Sequence, residues 1–180
     1  MLTRAGDSDL SAIVEMMNVA FRGTGPVASW NTEADIIDGN RTNEVLLRGE
    51  LAEKPEATLF VWRAKETDSI TGCVLLEPTA DKTWYLGSLT IDPRLQNSGF
   101  GRTLLAAAEQ WAFDHGANAI RLTVVNVRDT LIAWYERRGY ALTGETQPFP
   151  YGDRRFGTPR RYDLAFVVLE KSIRLPASPG

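Results

Sequence analysis

Apolar residues recur at helical spacing over Leu10, Ile13, Val14, Met17, Ala20 and Phe21, and Ser8 or Asp9 is placed to cap that run. Gly23 to Pro26 breaks it after about Arg22. Residues 1–5 fit a short strand ahead of it. Thr32 is placed to cap a short helix with Glu33 and Asp35 in its acid-favouring first turn, and a second helix fits Glu44–Glu53. The period then changes to two. Thr58–Ala64, Ser69–Leu76 and Thr83–Ile91 read as strands joined by short turns, which predicts an antiparallel meander. A helix follows with Leu104, Ala108, Trp111 and Ala112 as its apolar stripe. It ends at His115-Gly116, where a helix favours a cation and then a glycine. Strand Ala119–Asn126, helix Arg128–Arg138 closed by Gly139, and strands Tyr140–Thr146 and Tyr162–Lys171 complete the pattern. A long loop, Gln147–Arg161, separates the last two strands. The strand–helix–strand order from 84 to 126 implies a right-handed parallel crossover. One domain over residues 1–172 is expected, with a disordered tail over 173–180.

One junction in this pattern carries chemistry. The strand ending at Ile91 is stopped by Asp92-Pro93, because proline has no N–H for a sheet ladder. Gln96-Asn97-Ser98-Gly99-Phe100-Gly101 then leads into a helix. A glycine-bearing loop at a helix N-terminus aims several backbone N–H groups at one small volume, which suits a phosphate. The loop lacks the lysine of a nucleotide-binding P-loop and the first glycine of a dinucleotide fingerprint.

Composition narrows the partners. The chain has 180 residues, 43% of them apolar, enough for one cored domain and too few for two ordinary ones. Its net charge of −3 gives no basic balance for nucleic acid. No apolar run approaches the ~20 residues of a membrane span, and no signal peptide is visible, so a cytoplasmic protein is expected. The one cysteine, Cys73, lies in an apolar strand and reads as a buried inert thiol. With one histidine as well, no His/Cys cluster for a metal forms.

Gln96-x-x-Gly99-x-Gly101 after Ile91-Asp92-Pro93 resembles the loop of the GNAT superfamily of acetyl-CoA-dependent N-acetyltransferases, which reads Gln/Arg-x-x-Gly-x-Gly/Ala. Asn126 at the end of the next strand and the helix Trp134-Tyr135-Glu136-Arg137-Arg138-Gly139-Tyr140 match two further marks of that family. The resemblance covers residues 1–171. It implies an α+β fold of the acyl-CoA N-acyltransferase type: a mixed, mostly antiparallel central sheet of about seven strands, flanked by about four helices. Asn97-Ser98 replaces the family's usual Gly-Lys, which removes one cation from the loop. Residues 30–34 resemble a bacterial-type sub-group with a Trp-x-Thr-Glu-Ala element.

The resemblance also implies roles. Backbone groups of Leu89, Thr90 and Ile91 would meet the pantetheine arm as an added strand. Amides of Gln96, Asn97, Ser98, Gly99, Phe100 and Gly101 would hold the diphosphate, with Arg102 and Thr103 at the helix start and Asn126 and Tyr135 beside the cofactor. Acetyl-CoA would be the co-substrate, with no metal, and the acceptor a primary amine of a small molecule, such as an amino acid or another anionic amine. A homodimer is compatible with the family. Tyr135 maps onto the donor to the departing thiolate. At ordinary pKa values of ~8.5 for a thiol and ~10 for tyrosine, full proton transfer is uphill by roughly 2 kcal/mol, which favours hydrogen bonding. The base glutamate of some relatives, eleven residues ahead of Gln96, is here Tyr85. Glu33, Tyr85, Glu77 or water remain as bases. Trp30, Glu33, Tyr85, Arg154 and Arg155 are the acceptor-site candidates, with an arginine suited to an acceptor carboxylate and Trp30, Phe149 and Tyr151 as apolar walls. A catalytically silent acyl-CoA sensor is the alternative, and a nucleotide switch is disfavoured by the missing lysine.

Overall fold

The computed structural model describes residues 1–173, so the tail expected over 173–180 lies, from 174 on, outside the described residues. Nine strands and four α-helices are described: β1 Leu2–Arg4, α1 Leu10–Arg22, β2 Ile37–Asp38, α2 Glu44–Glu53, β3 Thr58–Arg63, β4 Ile70–Pro78, β5 Thr83–Ile91, α3 Phe100–Asp114, β6 Ala119–Val125, α4 Asp129–Glu136, β7 Ala141–Pro148, β8 Thr158–Pro159 and β9 Ala165–Ser172. Seven strands make one sheet in the order β1-β3-β4-β5-β6-β9-β7. All neighbours are antiparallel except β5 and β6, the pair that α3 joins by the expected crossover. The result is the α+β mixed sheet with four helices that the sequence predicts. No helix among the described residues is long and apolar enough to cross a membrane.

Alternation along the central strands divides the core. Leu59, Val61 and Cys73 point to one face, against Leu10, Ile13, Met17 and Phe21 of α1 and Leu47 of α2. Phe60 and Val74 point to the other, against Leu104, Leu105, Ala108 and Ala112 of α3. Cys73 is fully buried, and burial pushes its thiol up to about 12, which makes it an inert core residue. His115 closes α3 through a 2.7 Å hydrogen bond between Nδ1 and the Trp111 carbonyl, and its ring stacks on Trp111.

Three local expectations are corrected. Thr32 caps no helix. Its hydroxyl bonds the Phe21 carbonyl and the Ala34 N–H, both Ile36 and Ile37 donate to the Glu33 carbonyl, and the chain then enters β2. The stretch 147–161 is not one loop: β7 runs on to Pro148, a 3₁₀ turn covers Arg154–Phe156, and β8 pairs with β2. The last strand begins at Ala165 rather than Tyr162. The β2–β8 ribbon matters because it carries Ile37 and Phe156 towards the centre of the molecule.

Gly157 permits that ribbon. It has φ +83° and ψ −170°, a conformation nearly restricted to glycine, and an added Cβ would collide with the Asp38 carbonyl. Gly157→Ala is expected to destabilise the protein by about 3 kcal/mol, read as a fall in the melting midpoint. An unchanged midpoint would show that the two strands can separate without loss.

Candidate active site

The parallel pair β5–β6 is joined only at its start, where Thr83, Trp84 and Tyr85 face Ala119, Ile120 and Arg121. Beyond Tyr85 the two strands part. On the other side of β5, Cys73 faces Thr90 while Leu75 faces Gly87, so Ser88 and Leu89 together oppose Val74. This is a bulge, and Ser88 takes φ +52° to make it. The bulge turns Leu89 into the gap, where the backbone of residues 86–91 has no ladder partner on β6. Two cavities open on the split, of about 470 and 310 Å³, and Asn31, Leu89, Leu131 and Tyr135 line both.

The larger cavity is built for an anion. Asn97 and Gly99 both take left-handed backbone conformations, φ +65° and +83°, so the loop curls with its amides inward. Among the described residues, the N–H groups of Asn97–Gly101 donate to no backbone acceptor, and they stand at the N-terminus of the 15-residue α3. Phe100 packs edge-on to Trp62 and fixes the start of that helix on the sheet. At Gly101 a Cβ would stand 3.4 Å from the Trp134 ring, inside the space between loop and α4. Arg102, Arg137 and Arg138 line the same space. Arg138 stacks over the Trp134 ring at 3.6 Å, and its buried Nε has no partner. Burial, then the nearby charges of Arg137 and Arg102, disfavour its cationic form, so an entering anion would relieve both. Free amides, three guanidiniums and an open groove fit the diphosphate of CoA, and Arg137 and Arg138, just past the end of α4, supply cations that the lysine-free loop lacks. Arg138→Ala is expected to weaken CoA binding about tenfold, measured by titration calorimetry, since a hydrogen bond to a charged group contributes roughly 1.5–3 kcal/mol. Unchanged affinity would remove Arg138 from the binding surface.

The smaller cavity has aromatic walls: Phe21, Tyr85, Phe149, Phe156 and Phe166. Tyr85 reaches across the split to Thr123 Oγ1 at 3.3 Å. It leans over Gly87, where a Cβ would come within 2.8 Å of its ring. Glu33 is the acid that lines this cavity, and both of its oxygens are engaged. Oε2 accepts from Arg22 at 2.8 Å and Oε1 from Arg128 at 3.2 Å. Arg128 also holds the Asn31 Oδ1 at 2.7 Å, and Arg22 the Phe156 carbonyl at 3.2 Å. Both arginine side chains are more than nine-tenths buried. Segment 29–33 is tied at its other end by Gln96, whose amide accepts from the Trp30 N–H and donates to Ser29 Oγ. Trp30 lies 6.3 Å from Trp134. One short segment therefore forms a wall of both cavities.

Tyr135 stands at the junction. It is buried, with Trp134 and Tyr140 edge-on to its ring. Burial is the largest influence on its hydroxyl and, helped by Tyr85, pushes it well above the usual tyrosine range, against the opposing charges of Arg128 and Arg138. Among the described residues no hydrogen bond reaches this hydroxyl, so the neutral O–H is free to donate.

The expected residues divide between the cavities. Leu89, Ile91, Gln96, Asn97, Gly99, Gly101, Arg102, Trp30 and Tyr135 line the larger one, and Glu33 and Tyr85 the smaller one. Thr90 is fully buried, Ser98 Oγ caps the Leu95 carbonyl, and Thr103 Oγ1 bonds the Gly99 carbonyl. Asn126 clasps the start of β9 through the Asp163 carbonyl and the Ala165 N–H. Arg154 and Arg155 line neither cavity, and Arg155 is forked onto Asp153. Glu77 is paired with Lys54, and Tyr151 bonds Arg161 and Leu164. Sequence reasoning passed over Arg22, Asn31, Arg41, Arg128 and Leu131. Their neighbours in the chain carry no common pattern, and only the fold brings them together. Among the described residues no group of three or more metal-ligating side chains occurs.

The model of the acetyltransferase (GNAT) family matches residues 13–140. No curated protein sequence matches the chain. Among solved structures, a ribosomal-protein-alanine N-acetyltransferase from Brucella melitensis superposes with TM-score 0.68 at 18% identity, over 96% of this chain and 99% of that one. A spermidine N-acetyltransferase from Vibrio cholerae gives 0.66 at 17%, over 96% and 94%. An acetyltransferase from Salmonella typhimurium, solved with its cofactor acetyl-CoA, gives 0.65 at 16%, over 100% and 97%. At these identities the likeness is one of fold.

Proposed function

The chain belongs to the acetyltransferase (GNAT) family, and from that premise we propose that it moves the acetyl group of acetyl-CoA directly to a primary amine of a small molecule. The observation that carries this reading is the place of Tyr135: an unpaired, neutral hydroxyl where a basic, amide-lined cavity meets an aromatic one. Acetyl-CoA supplies an acetyl group already activated as a thioester.

The protein's own part is positioning and proton handling. The loop amides and Arg102, Arg137 and Arg138 hold the diphosphate end. The unpaired edge of Leu89–Ile91 accepts the extended arm as a further strand would. The amine comes from the smaller cavity, bounded by Tyr85 and the phenylalanines. Tyr135 Oη donates a hydrogen bond to the sulfur as negative charge grows there. Its raised pKa makes full proton transfer to the thiolate still less favourable than the ordinary values imply. Glu33 serves as a positioning residue that sets Arg22, Arg128 and, through Arg128, Asn31. The amine proton then leaves to water. The reading takes residues 1–172 as one catalytic domain.

Release of CoA thiol across a panel of small primary amines tests it. Acceptor-dependent release is the expected result. CoA binding with no release on any amine would favour a silent acyl-CoA sensor instead.

A further inference from the structure

The smaller cavity holds more positive charge than the fold neutralises. Arg22 and Arg41 line it, and Arg128 lies directly behind Glu33. Among the described residues, the one acid that lines the cavity is Glu33, and its oxygens are taken by Arg22 and Arg128. The charges acting on Arg22 are Glu33 in its favour, with Arg41 and Arg128 against it. Arg41 forms no ion pair among the described residues, although it is half-buried; its guanidinium rests 5.8 Å from the Phe21 ring centre. Arg22 Nε is buried without a partner. Two positive charges therefore remain uncompensated in a walled site, and buried charges are ordinarily paired.

The backbone at Arg41 is held for this purpose from α1. Asn18 accepts from the Arg41 and Thr42 N–H groups and donates to the Thr42 carbonyl, so the backbone at Arg41 is fixed where its side chain lines the cavity. Phe21, Ile37, Phe149 and Phe156 give the cavity an apolar side, and Asn31, Thr123 and Gln147 are polar residues that also line it. Building on the acetyl-transfer reading, we propose that the acceptor is an amine that also carries a carboxylate and an apolar body, and that Arg41, supported by Arg22, is the residue that recognises the carboxylate. A planar guanidinium matches a carboxylate in a fork, and a low-dielectric wall strengthens the pairing. The exposed Arg154 and Arg155 have no part in it.

The test compares the L-amino acids with their amides for binding to the full-length protein saturated with CoA, by calorimetry. At least one acid is expected to bind ten times or more tightly than its amide. Arg41→Gln should bring that ratio close to one, Arg41→Lys should keep part of it, and CoA affinity should be unchanged in both. Amides binding as well as acids, no member of any pair binding, or a ratio that survives Arg41→Gln would each overturn the proposal. CoA release with the preferred acid is measured separately. Binding with no release would overturn the acetyl-transfer reading and leave the carboxylate recognition standing.

Discussion

Tyr135→Phe is expected to lower kcat by about 10²-fold while leaving the affinity for CoA nearly unchanged. The phenyl ring preserves the edge-on packing against Trp134 and Tyr140 and removes only the hydroxyl. The loss should therefore fall on the step in which charge builds on sulfur, and not on binding. Because burial holds the hydroxyl above the usual tyrosine range, its ionisation should add no falling limb to the pH–rate profile below about pH 10. The rising limb should instead follow the acceptor amine, which must lose its proton to attack. Steady-state kinetics of the variant over pH 6–10 would check both points; full kcat in the phenylalanine variant would end the assignment.

Glu33→Ala is expected to have the largest effect on stability. It strands Arg22 and Arg128, each more than nine-tenths buried, without a counter-charge. Breaking a buried pair by removing one partner typically destabilises by about 3–5 kcal/mol. In a chain of this length that is a fall of about 10 °C in the melting midpoint. Glu33→Gln should lose less, because its amide oxygen can still accept from one arginine. Thermal unfolding of the two variants gives the comparison. If Glu33→Ala melts with the parent protein and kcat alone falls, Glu33 acts at the reacting atoms and is not a tether.

The donor half of the site was readable from local sequence because each of its parts is imposed by backbone chemistry. Asp92-Pro93 stops a strand, Gly99 takes a left-handed turn, and Gly101 admits close approach by Trp134. The acceptor half has no such local signature. Glu33 meets Arg128 across 95 residues, and nothing beside either one announces the pair. Arg22 closes α1, where a helix favours a cation, and Arg128 stands just ahead of α4 with no neighbour in the sequence to mark it as buried. Arg154 and Arg155 drew notice because they are clustered, yet clustering in sequence favours a solvated turn. Arg41 stands alone in a polar stretch, and its importance depends on what the fold removes from around it. The helix expected at Thr32 failed for a related reason. Ile36 and Ile37 are both drawn into a small core with Val125, Phe149 and Leu164, and the turn closed on the Glu33 carbonyl that puts them there leads straight into β2.

The two cavities at the split between β5 and β6 also differ in how far their walls reach along the chain. Apart from Trp30 and Asn31, the residues that line the larger cavity lie between Leu89 and Arg138, within the span that the family model matches. Phe149, Phe156 and Phe166 of the acceptor wall lie beyond it. Substitutions in that later stretch can reshape the smaller cavity without touching any residue that lines the larger one. The far wall of the smaller cavity can therefore change shape while Tyr135, which lines both cavities, keeps its place.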